Sequence, residues 1–331
     1  SEQCSIVAKT LLDENYSSRQ VNSLIGHKHF WQSDYTIHRR PQWMASVKMA
    51  SKRVVGVEMM NGDNMQGYYM ADGATYIYKN GEEYLDIFPL WDWRKIPGVT
   101  AFEADAPMPL IKSYQPRNQS SFVGGISDGK QGMASMEINR AGIKAYKSWV
   151  FTDDFVLCLG AGIKADSNLV VTTSIEQCHK KGELTILQEG KWRSVGDKQT
   201  YSGEEQRFFH NQMGYILWNN PKNCVAEVNH RTGQWHDVMQ MYRPQSVTGD
   251  VVSIYLEHGV SPQKSTYQYL MLPTTNQEKT KLFDLSAIQL IRNDEVAQAV
   301  YTKKNSTWWI TAYRPLKITL TSGCPLEILT P

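Results

Sequence analysis

The stretch Val57-Glu58-Met59-Met60-Asn61-Gly62-Asp63-Asn64-Met65-Gln66-Gly67-Tyr68-Tyr69 gathers acids, amides, glycines and tyrosines into one short run. Its chemistry rests on a carboxylate, Glu58, three residues ahead of an amide, Asn61. A carboxylate only accepts hydrogen bonds, whereas an Asn side chain offers two donors and an acceptor, the inventory that meets hydroxyls or another carboxylate. Asn64 adds a second amide. Asn61-Gly62 is a turn signal and Gly67 restarts an extended pattern, so Glu58 and Asn61 are expected at a strand end and its turn. Turn chemistry alone also accounts for such a polar corner.

Other residues compete for attention. Trp91-Asp92-Trp93 can present a flat face on which a sugar ring stacks, but alternate residues of a strand share a face, so Trp91 and Trp93 fit core packing as well. His38-Arg39-Arg40 carries two guanidinium forks that match sulfate or carboxylate groups, or that pair with surface acids. His27-x-His29 puts both imidazoles on one side of a strand; spacing nominates no third ligand, so neither a metal nor a cofactor is expected. His210 and His258 are expected as hydrogen-bonded structural histidines, and Asp153-Asp154 as a turn. Cys4, Cys158, Cys178, Cys224 and Cys324 are odd in number and show no CxxC spacing, which points to buried free thiols rather than zinc or a disulfide framework.

The elements that must position these residues read as β. With 331 residues, 41% of them hydrophobic, the chain can bury a large core. Its net charge of +2 is spread without a basic run, which argues against a nucleic-acid surface, and no apolar stretch is long enough to span a bilayer. Ser1-Glu2-Gln3-Cys4 shows neither an initiating Met nor a signal peptide, as expected of a processed or cut chain. Ile6, Val7, Leu11 and Leu12 recur at helical spacing, with Gly26 as the expected stop. From about Phe30 the pattern turns to strands: Trp43, Ala45, Val47 and Met49 alternate with Gln42, Met44, Ser46 and Lys48, Met44 blurring the polar face. Ala74 to Tyr78 runs into Asn80-Gly81, the strongest hairpin signal in the chain. Later runs flank Asp153-Asp154 and Glu189-Gly190, and similar pieces surround Thr232-Gly233. Many strands joined by short turns predict an all-β chain: a large antiparallel β super-sandwich over 26–273, a short second β domain over 274–331 with too few strands to stand alone, and a short N-terminal helix within 1–25. The boundary is expected at Leu272-Pro273-Thr274-Thr275-Asn276-Gln277.

Ordered motifs then show a resemblance. Ser33-Asp34-Tyr35-Thr36-Ile37-His38-Arg39-Arg40-Pro41, Glu58-x-x-Asn61-Gly62-Asp63-Asn64, Gly67-Tyr68-Tyr69 and Asp72-Gly73-Ala74-Thr75-Tyr76 are similar to the β portion of polysaccharide lyase family 8. So are Phe88 to Gly98, Lys147-Ser148-Trp149-Val150-Phe151, Leu159-Gly160-Ala161-Gly162-Ile163, and the segment from Tyr255 to Pro273 with Glu257-His258-Gly259. The family holds hyaluronate, chondroitin AC, chondroitin ABC and xanthan lyases. The resemblance covers roughly residues 26 to 320.

It implies an N-terminal α/α toroid ahead of the super-sandwich, with residues 1–25 as the helical link leaving it and the toroid itself as the chain's missing partner. It implies β-elimination on an acidic, uronic-acid-containing polysaccharide, in a secreted or periplasmic setting. The family's Asn that meets the uronate carboxylate, and its proton-transferring His and Tyr, lie on the toroid, so Tyr68 and Tyr69 are not expected as bases. The β portion supplies a Glu and an Asn three residues apart, which Glu58 and Asn61 match. Glu58 is then expected to orient the toroid's His, and Asn61 to meet substrate, with Asn64, Arg39, Arg40 and Trp91 as further substrate contacts. Asp63 stands where the family more often has Glu, and no direct contact is expected from it. A stand-alone carbohydrate-binding module and a purely structural sandwich remain open as other classes.

Overall fold

The computed structural model describes residues 2–12, 24–111, 117–219, 221, 223–320 and 325–328. Helix α1 is Glu2–Leu12; then follow β1 (Gly26–Phe30), β2 (Tyr35–Arg39), β3 (Met44–Lys48), β4 (Ala74–Tyr78), β5 (Thr100–Phe102) and β6 (Val123–Ser127). Next come β7 (Gly132–Arg140), β8 (Ile143–Phe151), β9 (Val156–Ala165), β10 (Val170–His179), β11 (Thr185–Gln188), β12 (Lys191–Ser194), β13 (Gln199–Tyr201), β14 (Glu205–His210) and β15 (Met213–Trp218). After β16 (Cys224–Gln234) stand the one-turn helix α2 (Trp235–Val238), β17 (Ser246–Val260), β18 (Ser265–Pro273) and α3 (Gln277–Leu282). β19 (Ile288–Asn293), β20 (Ala297–Thr302), β21 (Thr307–Ala312), β22 (Leu316–Thr319) and β23 (Pro325–Ile328) close the series.

Every pairing is antiparallel. The large sheets run β12-β11-β14-β15-β18-β9-β8-β7-β6 and β13-β16-β17-β10-β5, beside the four-stranded β1-β2-β3-β4. Alternation explains the layering. On β9, Val156 and Cys158 face a core shared with Ala45, Val47 and Ile77 of the four-stranded sheet and Val171, Ala226 and Ile254 of the five-stranded one. The intervening Leu157 and Leu159 face the other way, onto Ile288, Val300 and Trp309 of the β19-β20-β21 sheet. A strand covered on both sides reads as an unbroken apolar run, which is why Phe155 to Leu159 showed no polar face.

Local signals held where the turn closes on itself. Glu189 and Gly190, at φ 49° and 75°, link Gln188 to Lys191, and Thr152 to Phe155 turns β8 into β9. Three expectations are corrected. Gly26 opens β1 instead of stopping a helix, and residues 13–23 lie outside the described ones. Asn80-Gly81 makes no hairpin: the Glu83 carboxylate takes the backbone N–H groups of Lys79, Asn80 and Gly81, which turns the chain out of its sheet toward β5. Thr232-Gly233 lies inside β16, where a Cβ on Gly233 would stand 1.7 Å from the Pro89 carbonyl oxygen. Cys158, Cys178 and Cys224 are buried free thiols, Cys4 is exposed, and Cys324 lies outside the described residues.

Buried histidines are expected to make the fold acid-sensitive. His38 Nε2 donates to the Thr152 carbonyl at 2.8 Å, so its Nδ1 accepts from His27 Nδ1 at 3.4 Å. Burial pushes His38 down to about 3, and His27 and His210 down to about 4. Below the ordinary value of 6.5 the unfolded chain takes up protons that the folded chain refuses, so stability falls with pH by a few kcal/mol per histidine at the order-of-magnitude level. Glu176 opposes this: burial pushes its carboxyl up to about 7, so the folded chain holds the extra proton as pH drops from 7 toward the ordinary 4.5. His258, which burial also pushes down to about 4, adds to the histidines, and the Asp72 carboxyl, raised by burial, adds to Glu176; the histidines are the larger group. The denaturant midpoint is expected to fall steadily from pH 6.5 to 4, and less steeply in His27→Gln/His38→Gln; a flat wild-type midpoint would contradict the assignment.

Candidate functional site

β3 leaves its sheet after Lys48 and β4 rejoins it at Ala74, its partner in register, so the intervening segment is a loop with no strand of its own. Glu58 and Asn61 therefore sit mid-loop, not at the strand end expected of them. The reason is local: Gly56, Asn61, Gly62 and Asn64 all adopt left-handed φ values, which a pleated strand excludes. Val57 and Met59 are 7% and 4% exposed and pack with Ile111, so Glu58 between them points outward and is exposed. Asn61 and Gly62 form the tip, closed by the Asp63 N–H donating to the Met60 carbonyl at 2.9 Å. Asn64 holds that geometry: its Nδ2 donates to the Glu58 carbonyl at 2.8 Å while its side chain packs directly over Gly67.

The C-terminal half of the loop is clamped from below. Arg140 on β7 donates through one terminal nitrogen to Asp72 Oδ1 and through the other to the Tyr68 carbonyl, both at 3.0 Å, with its guanidinium 4.5 Å from the Tyr68 ring centroid. Arg140 and Asp72 are nearly fully buried. Burial raises the Asp72 carboxyl above its usual range, and the Arg140 and Lys147 cations pull against that rise. Tyr69 is buried as well, which raises its phenol.

A second wall comes from α2 and the residues after it. Met65 N–H donates to the Val238 carbonyl, Gln240 N–H to the Gly62 carbonyl, and Gln66 Nε2 to the Asp237 carbonyl. Gly62 lets the two segments touch, since a Cβ there would lie 2.7 Å from Gln240 Oε1. Between them is a cavity of about 520 Å³, lined by Met65, Gln66, Met108, Leu110, His236 and Asp237. His236 Nδ1 donates to the Tyr242 carbonyl at 2.8 Å. Tyr242 is exposed, with its ring 5.6 Å from that of Trp235, and Arg243 beside it is exposed too. Sequence reasoning missed this wall; its only signal was a cluster of aromatic and basic residues from Trp235 to Arg243.

The remaining candidates lie elsewhere. Arg39 pairs with Met44 at the end of β2 and β3 opposite the one where the loop departs, so Arg39 and Arg40 are not part of the Asn61 turn. The Arg40 side chain is 6% exposed, paired with Asp153 at 2.9 Å and bonded to the carbonyls of Arg39 and Lys130, so its fork is already filled. Trp91 is 6% exposed, its indole N–H donates to the Gln177 carbonyl, and its ring lies parallel to Tyr76. That is core packing, and it leaves no face for a sugar. Asn64 shapes the loop through the Glu58 carbonyl. His29 Nδ1 is 2.8 Å from Thr36 Oγ1, and no metal-ligating group of three is found among the described residues.

A loop of this construction on this sandwich can be compared with known proteins. Residues 25–283 match the polysaccharide lyase family 8 super-sandwich domain. The chain belongs to that family. Chondroitinase-AC of Pedobacter heparinus is 33% identical over 277 residues, covering 83% of this chain and 39% of the relative. A hyaluronate lyase of Thermasporomyces composti is 27% identical over 289 residues, 83% of this chain and 37% of that protein. A solved chondroitinase AC lyase superposes with a TM-score of 0.87 at 30% identity, covering 93% of this chain and 45% of that one. The family 8 chain thus spans about two fifths of the length of the relatives it matches.

Proposed function

We propose that this family 8 chain is the β portion of a lyase that cleaves a uronic-acid-containing polysaccharide, of the chondroitin or hyaluronan type, by β-elimination, in a secreted or periplasmic setting. The proton at C5 of the uronate becomes acidic when the adjacent carboxylate is neutralised by hydrogen bonds. A base then removes it, C4=C5 forms, the C4–O bond breaks, and the leaving oxygen takes a proton. Asn61, at the loop tip, presents its amide to hydroxyls or a carboxylate of the substrate, beside an Asn supplied by a helical partner domain, and Glu58 orients an imidazole on that domain. The observation that carries this reading is the outward placement of Glu58, forced by buried Val57 and Met59, beside a tip held by Asn64 and Gly62. The cavity next to the tip extends the same wall.

On this reading the chain is one side of a cleft and is inactive alone. Incubated with chondroitin or hyaluronan, the purified chain is expected to give no rise in ultraviolet absorbance from unsaturated uronide, and assembly with a helical domain from the same reading frame is expected to produce it. Turnover by the chain alone would overturn the one-sided cleft. Saccharide binding with no turnover after assembly would favour a binding module instead.

A further inference from the structure

The far end of the β16–β17 ladder carries a second concavity. Cys224 pairs with Leu256 at one end of that ladder and Gln234 with Ser246 at the other. At about 3.3 Å per residue this separates the Leu256 end from α2 and the Asn61 loop by roughly 30 Å. There, where β15 passes into β16 and β17 approaches β18, a cavity of about 350 Å³ opens, within the size range of small-molecule sites. Its lining includes Trp218, Asn219, Asn223, Glu257, His258 and Lys264.

The imidazole among them is held in place from behind. His258 Nε2 is 2.8 Å from Thr173 Oγ1, which is itself 2.8 Å from Thr100 Oγ1, both threonines being buried. Burial pushes His258 down to about 4, so its ring is neutral near pH 7. Asn219 and Asn223 hold left-handed backbone at φ 60° and 50°, and the Glu257 N–H donates to the Asn223 carbonyl at 3.0 Å. The charges are already balanced: Glu257 lies 3.8 Å from Lys198, and Lys264 lies 4.0 Å from Glu295.

Among the described residues that line it, an anion entering this cavity meets Glu257 and no cation without a carboxylate partner. A ring bearing neighbouring hydroxyls or an acetamido group meets amides that both donate and accept, a carboxylate that accepts, a neutral imidazole, and an indole wall. We infer that this cavity is a second saccharide site, remote from the Glu58–Asn61 loop, that takes an uncharged pyranose such as the hexosamine unit of a polysaccharide rather than its uronate. It adds a second attachment point on the proposed substrate, which raises the effective concentration of chain at the cleft.

The test uses the whole purified chain with N-acetylgalactosamine, N-acetylglucosamine and glucuronate as separate probes in saturation-transfer NMR. The hexosamines are expected to bind, glucuronate much more weakly. Glu257→Ala and Asn223→Gly are each expected to weaken hexosamine binding at least about tenfold; glycine keeps the left-handed backbone, so the second variant removes only the amide. Denaturant midpoints check that both variants fold. Asn61→Ala is expected to leave this binding unchanged, so failure of the proposed lyase role and failure of this site give different results. A preference for glucuronate, hexosamine binding undiminished in both folded variants, or no hexosamine binding by the folded chain would each overturn the inference.

Discussion

Glu58→Ala, in the chain assembled with its helical partner domain, is expected to lower turnover by at least about 10²-fold, the scale seen when a carboxylate that orients a reacting imidazole is removed. Glu58 is a positioning residue on this reading, and a readout beyond rate separates that role from a structural one. Its carboxylate would hold up the pKa of the imidazole it faces, so the pH profile of the residual activity should move toward acid in Glu58→Gln. Asn61→Ala is expected to cost about 10²- to 10³-fold, mainly in kcat, because its donors would act on charge that grows in the transition state. Asp63→Ala at the same exposed tip provides the control, with an expected change of less than about threefold, since a loop-stability effect would touch Asp63 and Asn61 alike. Equal losses in all three variants, with an unmoved pH profile, would remove the proposed roles.

Arg140→Met is expected to destabilise the fold by about 3–5 kcal/mol, the range for removing one partner of a buried ion pair. The Asp72 carboxylate, 2% exposed as a residue, would lose its close cation and stay buried, and the Tyr68 carbonyl would lose its donor. The Asp72→Asn/Arg140→Met double variant should recover part of that loss, because no unpaired charge then remains. Urea denaturation of the isolated chain measures both. A single-variant loss under about 1 kcal/mol would mean that the loop does not depend on this clamp. The same substitution should also reduce activity of the assembled enzyme, since Arg140 ties the stretch that carries Glu58 and Asn61 to β7 of the large sheet.

How much could be read in advance depended on how local each cause is. Alternation over Trp43 to Met49 is a property of neighbouring residues, and those four apolar side chains are all buried as expected. The turn at Glu189-Gly190 is equally local. Asn80-Gly81 carries the same kind of signal, yet Glu83 captures the turn's N–H groups and no return strand follows. Trp91 was nominated by residue type, but its fate depended on Gln177 and Tyr76 arriving from other strands. Arg40 was spent in the same way on Asp153.

For this protein, then, sequence alone determined the all-β antiparallel class and the family resemblance, and it nominated the Glu58-x-x-Asn61 pair, because strand periodicity, turn residues and motif spacing are written within a few positions of one another. Tertiary structure alone decided that the pair sits mid-loop, that Arg140 clamps it, and that Asp237, 171 positions beyond Gln66, stands across the cavity from it. Those contacts arise where elements of three sheets meet, and no short-range pattern encodes which distant strands a sandwich brings face to face.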